Sequence, residues 1–533
     1  MAALVLILAG AAALRFWGLR WGLPNELHDY SYHPDEFLTI GAAFGMIYLG
    51  RTWNPHFYNY PSLYIYLSAL AIAVGLGYGA SPAPATIYLC ARVMTALMGT
   101  AAVAATWWAG RTLFGEGVGL LAALEICVAP LHVQHSHFAT VDVPSTLFVA
   151  LALGSAGLIL KNGSRRDYLL GGAMAGLAAG TKYNAGLVLL SVVAAHFLRE
   201  GWKLGSLKSG RLWGGIGCAL GAFVISTPGS VLAASQFVHG LTYEMHHAAE
   251  GHGLVFAGTG NGFVYTFASS LWYGLGPGLA ALFALAVLWA LWRRDKQALA
   301  ILAFVVPYYA LVSLSNVRFA RYAMPLFPAV AVLIAHLVCD RCSRLRASMP
   351  LRLVGLLLWV VACTSAVICS LAYAFLLDLS LVASDPRDQA ARWIFSHVPR
   401  GSTIGVLDWP WFYSPPLTKD LGFGTLPQRE QAALNAPYRI VLIRSVLHGV
   451  PTPDWAMAAD YEAEDAVRLF ENRSISGRDR KEVDRIAVEL NWIEHRYKRR
   501  AVFWGALRSL GWLNAPHDMR YPDPAISILE RRR

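Results

Sequence analysis

The stretch YHPDEFLTIG, Tyr32 to Gly41, places two adjacent carboxylates, Asp35 and Glu36, ahead of a mostly apolar segment. A third acid, Asp142 in HSHFATVDVPSTLF, stands where an apolar helix begins, with Pro144 just downstream in its first turn. Cations answer them at a distance: Arg92 in CARVMTA, Lys182 in GTKYN, and Arg318 and Arg321 in NVRFARYAMP. The last two are spaced i, i+3 and are expected on one helical face. Charge beside hydrocarbon is costly and usually functional. A carboxylate can take a proton from a weak nucleophile, and fixed cations can grip a lipid-linked phosphate, arginine through its planar fork. Each residue also has a plainer use. The cations can snorkel to the headgroups, Asp142 can serve a helix dipole, and Asp35 and Glu36 can form a solvated cap.

The elements that must position these groups are membrane helices. Of 533 residues, 56% are hydrophobic and only 14% charged, with a mean hydropathy of +0.44. Apolar runs near or above about 18 residues recur along the chain. They are too long for barrel strands, so helices satisfy the backbone in lipid. The net charge of +11 does not signal nucleic acid. Its basic residues fall mainly in short loops between apolar runs or mix with acids in the last third. The run Met1 to Gly18 lacks a basic start and is expected to be a retained first helix. The basic loops at Arg111, Lys161–Arg166, Arg199–Arg211, Arg293–Lys296 and Arg341–Arg352 belong on the cytoplasmic side.

That assignment gives about eleven spans: 1–18, 86–110, 118–136, 143–160, 168–181, 184–198, 212–228, 275–292, 298–314, 322–339 and 353–375. Ser62 to Gly79 would break the alternation and is expected to lie in, or dip into, the outer interface. The expected fold is an all-α polytopic membrane domain over 1–377, with outer loops at about 19–85 and 229–272. A small extracytoplasmic α/β domain follows over 378–533. Its strands are read in STIGVLDW, YRIVLIRSV and PAISILE, and its helices in DPRDQAARWIFSHV and RDRKEVDRIAVELNWIEHRYKRR. Of seven cysteines, Cys339 and Cys342 form a lone CxxC, read as structural.

Taken in order, the early DE pair, the aspartate opening a later helix, GLAAGTKYNAG and RFARYAMPLFPA resemble the lipid-carrier-dependent glycosyltransferases of the GT-C fold. The closest likeness is to the protein O-mannosyltransferase and aminoarabinose transferase group. It covers most of the chain and extends to an outer domain that starts ARWI…VPRGSTIGV and ends near PDPAISILERR. The resemblance implies a sugar donor carried on a polyprenyl phosphate, and a protein, lipid or glycan acceptor on the outer face of a bacterial inner membrane. Asp35 would be the general base of an inverting transfer. Glu36 would orient the site or bind acceptor, and Asp142 would make a second acidic contact. Lys182, Arg318 and Arg321, with Arg92, would hold the lipid phosphate. His33, His137, Tyr58 and Tyr60 are candidate sugar or acceptor contacts.

No cofactor is required in this scheme, because cations supply what a metal supplies elsewhere. The His/Glu set in EMHHAAEGH, Glu244 to His252, matches no metal signature closely. One departure concerns the acceptor: Tyr60 precedes Pro61 where the aminoarabinose group carries a basic residue. Two rival readings stand beside the transferase. A secondary transporter or flippase should show internal repeats and charges near mid-membrane, whereas here the exceptional charges gather at the outer rim. A non-catalytic scaffold would leave the rim acids without a task.

Overall fold

The computed structural model describes residues 1–50, 52–76, 83–345, 350–420, 426–509 and 515–533. Each of the eleven apolar segments carries a helix, from Ala2–Phe16 to Pro350–Val382. Five helical stretches among the described residues are long and apolar enough to cross a membrane: Pro84–Phe114, Asp142–Lys161, Lys296–Leu314, Ala320–Arg344 and Leu353–His397. Local sequence sets their ends. Pro84, Pro130 and Pro277 open helices at positions whose N–H would be unpaired anyway. Ser164 and Asp167 form a reciprocal capping box ahead of Arg165–Thr181. Gly115, at φ +105°, turns the chain between Pro84–Phe114 and Glu116–Val128.

Small residues let neighbouring helices approach. Arg165–Thr181 packs on Gly210–Ser226 along Gly172, Gly176 and Gly180. A Cβ at Gly172 would lie 1.9 Å from the Gly215 carbonyl oxygen, and one at Gly176 would lie 2.2 Å from that of Ala219. The helix Leu63–Leu76 has 14 residues. At 1.5 Å per residue it is about 21 Å long, short of a hydrocarbon core of about 30 Å. It packs on Glu36–Phe44 and Pro84–Phe114, and residues 77–79 lie outside the described residues. The segment 229–272, read as a long loop, has helices of its own. It holds the helix Ala234–Glu250 and a helical stretch from Gly262 to Leu275.

Beyond residue 382, the helix Pro386–His397 leads into a five-stranded sheet: β1 (Thr403–Val406), β2 (Arg439–Leu442), β3 (Trp455–Ala459), β4 (Tyr497–Phe503) and β5 (Ile526–Arg531). The order is β2-β1-β3-β5-β4, with β1 parallel to β2 and β3, and β5 antiparallel to β3 and β4. Ile404, Val406, Met457, Ile526 and Ile528 pack with Ala390 and Ile394 of the preceding helix. Two elements differ from expectation. The last charged helix ends at Arg496, and YKRR begins β4. The apolar face of that helix stops at Ile493, and the cations of YKRR then guard a sheet edge. β3, WAMAA, has no β-branched residue and is a strand through its neighbours alone.

Candidate active site

Asp35 is the N-cap of the helix Glu36–Phe44. Its side chain is 16% exposed, and its Oδ2 lies 2.9 Å from Nη2 of Arg321. His33 sits behind it and accepts the Asp35 backbone N–H at Nδ1, 3.2 Å away. Burial pushes the Asp35 carboxyl above its ordinary pKa, while Arg321 pulls it back down. Arg321 lies in the 3-10 turn Ala320–Leu326 and is buried. The buried carboxylate of Asp518, from the outer domain, accepts the backbone N–H groups of Ala320 and Arg321, each at 3.0 Å. The same carboxylate lies 3.5 Å from the Arg321 guanidinium. The centre of the Phe319 ring lies 3.9 Å from the guanidinium carbon, and the Tyr521 hydroxyl lies in the field of the same guanidinium.

A second pair faces the first. Asp142 opens the helix Asp142–Lys161, and Lys182 terminates Arg165–Thr181. Lys182 Nζ donates to Asp142 Oδ1 at 2.5 Å and lies 4.8 Å from the Tyr322 ring centre. Both pairs act on the Asp35 carboxyl, so they share one electrostatic site. His135 feels Asp142, Asp518, Arg321 and Lys182. It is fully buried, and neither ring nitrogen has a hydrogen-bond partner among the described residues. Tyr60 borders Asp35, Arg321, Tyr322 and Glu244. Burial pushes the Glu244 carboxyl, on the outer helix Ala234–Glu250, up to about 7.

Five residues expected at the site stand elsewhere. Arg92 spends its guanidinium inside the protein, on both Glu36 oxygens at 2.8 and 2.7 Å, on Ser31, and on the carbonyls of Leu19 and Trp21. No donor is left for a lipid phosphate. Glu36 is fully buried in that clamp and also accepts the Ala139 N–H at 2.7 Å, so both its oxygens are engaged in fixing the loop. Arg318 and Arg321 do not share a helical face, because residues 315–319 are not helical. Arg318 turns away to Thr259 and the Gly260 carbonyl. His137 bonds the carbonyls of Val133 and Trp17, and the Tyr58 hydroxyl donates to Asn54 while Gly229 and Gly240 crowd its residue. Neither of these two joins the cluster.

Sequence reasoning missed Asp518 and Tyr521 altogether, and weighed Glu244 only within a His/Glu set compared with metal signatures. The short stretch PHDMRYPDP holds acids and aromatics, but nothing in its spacing ties it to position 321. Among the described residues, no group of three His, Cys, Asp or Glu side chains is arranged to hold a metal.

The family model described as dolichyl-phosphate-mannose-protein mannosyltransferase matches residues 88–228, a stretch that carries Arg92, Asp142 and Lys182. Comparison with curated protein sequences finds no match. Among solved structures, ArnT of Cupriavidus metallidurans bound to undecaprenyl phosphate is similar at 15% identity and a TM-score of 0.52. The match covers 98% of this chain and 97% of that one. The Archaeoglobus fulgidus oligosaccharyltransferase in its apo form is similar at 14% identity and a TM-score of 0.51, covering 97% and 75%. The chain has the GT-C fold of these glycosyltransferases, and its apolar helices make it an integral membrane protein.

Proposed function

We propose that this chain transfers a sugar from a polyprenyl-phosphate carrier to an acceptor hydroxyl on the extracytoplasmic face of a bacterial inner membrane, with inversion. One observation carries the reading: two acids, Asp35 and Asp142, are paired with two buried cations, Arg321 and Lys182, in a single cluster at helix ends. The likeness to a structure that binds undecaprenyl phosphate supports the carrier.

In this scheme the donor phosphate takes up the charge of Lys182 and Arg321, and Asp35 is released from its partner. The acceptor oxygen attacks the anomeric carbon from the face opposite the phosphate as Asp35 takes its proton. The bond from the anomeric carbon to the phosphate oxygen breaks, and the electron pair leaves with the lipid phosphate. The fixed cations hold that charge where little water competes. A base whose pKa is raised by burial suits this task at neutral pH. Asp142, His135 and Tyr60 are placed to contact sugar hydroxyls. His33 serves from behind by orienting Asp35.

The test is Asp35→Asn in purified protein given a labelled polyprenyl-phosphate sugar. Transfer should fall by about 10²- to 10⁴-fold, the usual worth of a general base, with donor binding near that of the parent. A variant that transfers at the parent rate would overturn the assignment. Movement of labelled lipid across the bilayer without any transfer product would instead favour a flippase.

A further inference from the structure

A cavity of about 780 Å³ opens between the outer domain and the membrane part. Pro34, His252, His517 and Tyr521 bound one end, next in sequence to Asp35 and Asp518, and the charges of Arg321, Asp35 and Asp518 all act on the Tyr521 hydroxyl. The other end lies at the carboxyl edge of the sheet. Leu407 and Asp408 directly follow β1, and Glu462 rides on the helix Asp460–Leu469 that follows β3. The strand order β2-β1-β3 sends the chain from β1 to β2 and back across to β3. The crevice at β1 and β3 is therefore a topological switch point, where open α/β sheets bind ligands. The volume falls in the range of about 300–1,000 Å³ typical of ligand sites.

The wall chemistry narrows the ligand class. Trp411, Tyr413 and Tyr461 line the wall together with Asp408 and Glu462, the Tyr413 and Tyr461 rings stacked with centres 6.0 Å apart. Carboxylates outnumber guanidinium groups along the wall, and the arginines are mostly spoken for. Arg387 is gripped by Asp385 at 2.7 and 2.6 Å, and Arg485 by Glu482 and Glu489. Arg429 lies 4.5 Å over Trp411 and 3.6 Å from Asp408. Arg478 is exposed. An anionic ligand would find little free charge here. An extended peptide would want an open strand edge, but the edge strands β2 and β4 contribute no residue to the wall. Aromatic rings beside carboxylates match a sugar, whose C–H groups pack on aromatics and whose hydroxyls donate to carboxylates.

We propose that this cavity is the acceptor site, and that it takes a neutral saccharide chain whose terminal hydroxyl reaches Asp35. The inference rests on the transferase reading above and adds the chemical class of the acceptor.

The experiment uses the full chain in detergent on an array of neutral glycans, phosphorylated glycolipids and unmodified peptides, with no donor present. The parent should retain neutral glycans. Trp411→Ala should weaken that retention at least tenfold, while Trp411→Phe keeps most of it. Asp408→Ala, at a side chain one-third exposed, reads the same wall should Trp411→Ala fail to fold. Retention of peptides or phosphoglycolipids in place of neutral glycans would overturn the proposal. So would an array with no bound neutral glycan, or equal retention by Trp411→Ala and Asp408→Ala. Glycan retention needs no donor, whereas the Asp35→Asn assay needs one, so the two readings fail separately.

Discussion

Asp35 and Glu36 are neighbours in sequence and opposites in use. Glu36 is locked on Arg92 with every oxygen engaged. Removing one member of such a buried pair typically costs about 3–5 kcal/mol, because the other charge is stranded. Asp35 is held between two influences of opposite sign: burial raises its pKa and Arg321 lowers it. The working form of a base is the deprotonated one, so kcat/KM should rise with pH. Its acid limb should lie above the value of about 3.9 for a free aspartate. Arg321→Gln removes the lowering influence, so the limb should move to higher pH. The same change should cost about 10²- to 10³-fold in rate at the plateau through lost charge stabilisation. A pH–rate series on both proteins checks this, and a limb that moves downward in Arg321→Gln would contradict it.

At the scale of elements, the helices depend on close approach at small residues. Gly176→Leu would drive a side chain into the Ala219 carbonyl. Overpacking of this kind typically costs about 1–3 kcal/mol. Gly217→Leu on the partner helix is the control, since a Cβ there meets nothing within 4 Å. Thermal unfolding in detergent should show a clear loss for the first and little change for the second. The helices were legible because hydrophobic run length and loop charge are local signals. Lys182 and Asp142 were legible for the same reason, as charges that break an otherwise apolar pattern at helix ends. The Arg318/Arg321 face was not. A helical spacing was assumed across NVRFARYAMP, but Pro325 stands four residues after Arg321, and Asp518 takes the N–H groups of a 3-10 turn there. Nor was Arg92 legible as structural, since its five acceptors come from distant parts of the chain that only folding brings together.

At the scale of the molecule, the outer domain is tied to the membrane part at several points. Asp388 accepts from Asn25 and Tyr32, and Asp385 accepts from Trp21 at 3.1 Å. The Met519 carbonyl accepts from Gln134, and Arg468 donates to the carbonyls of Leu254, Val255 and Ala257. Asp518 is the tie that reaches Arg321, the partner of Asp35. Hydrogen bonds to charged partners are worth about 1.5–3 kcal/mol, so Asp518→Ala should lower kcat/KM by roughly 10- to 100-fold. Asp518→Asn, which still accepts one N–H, should fall between the two. Steady-state kinetics at equal protein level measure the difference, and parent-like kinetics in Asp518→Ala would show that Arg321 holds its place unaided. Asp518 lies 197 residues downstream of Arg321. A polypeptide still emerging from the ribosome thus lays down every apolar helix before Asp518 exists, and the N–H groups of Ala320 and Arg321 wait for that acceptor until a late-synthesised loop docks.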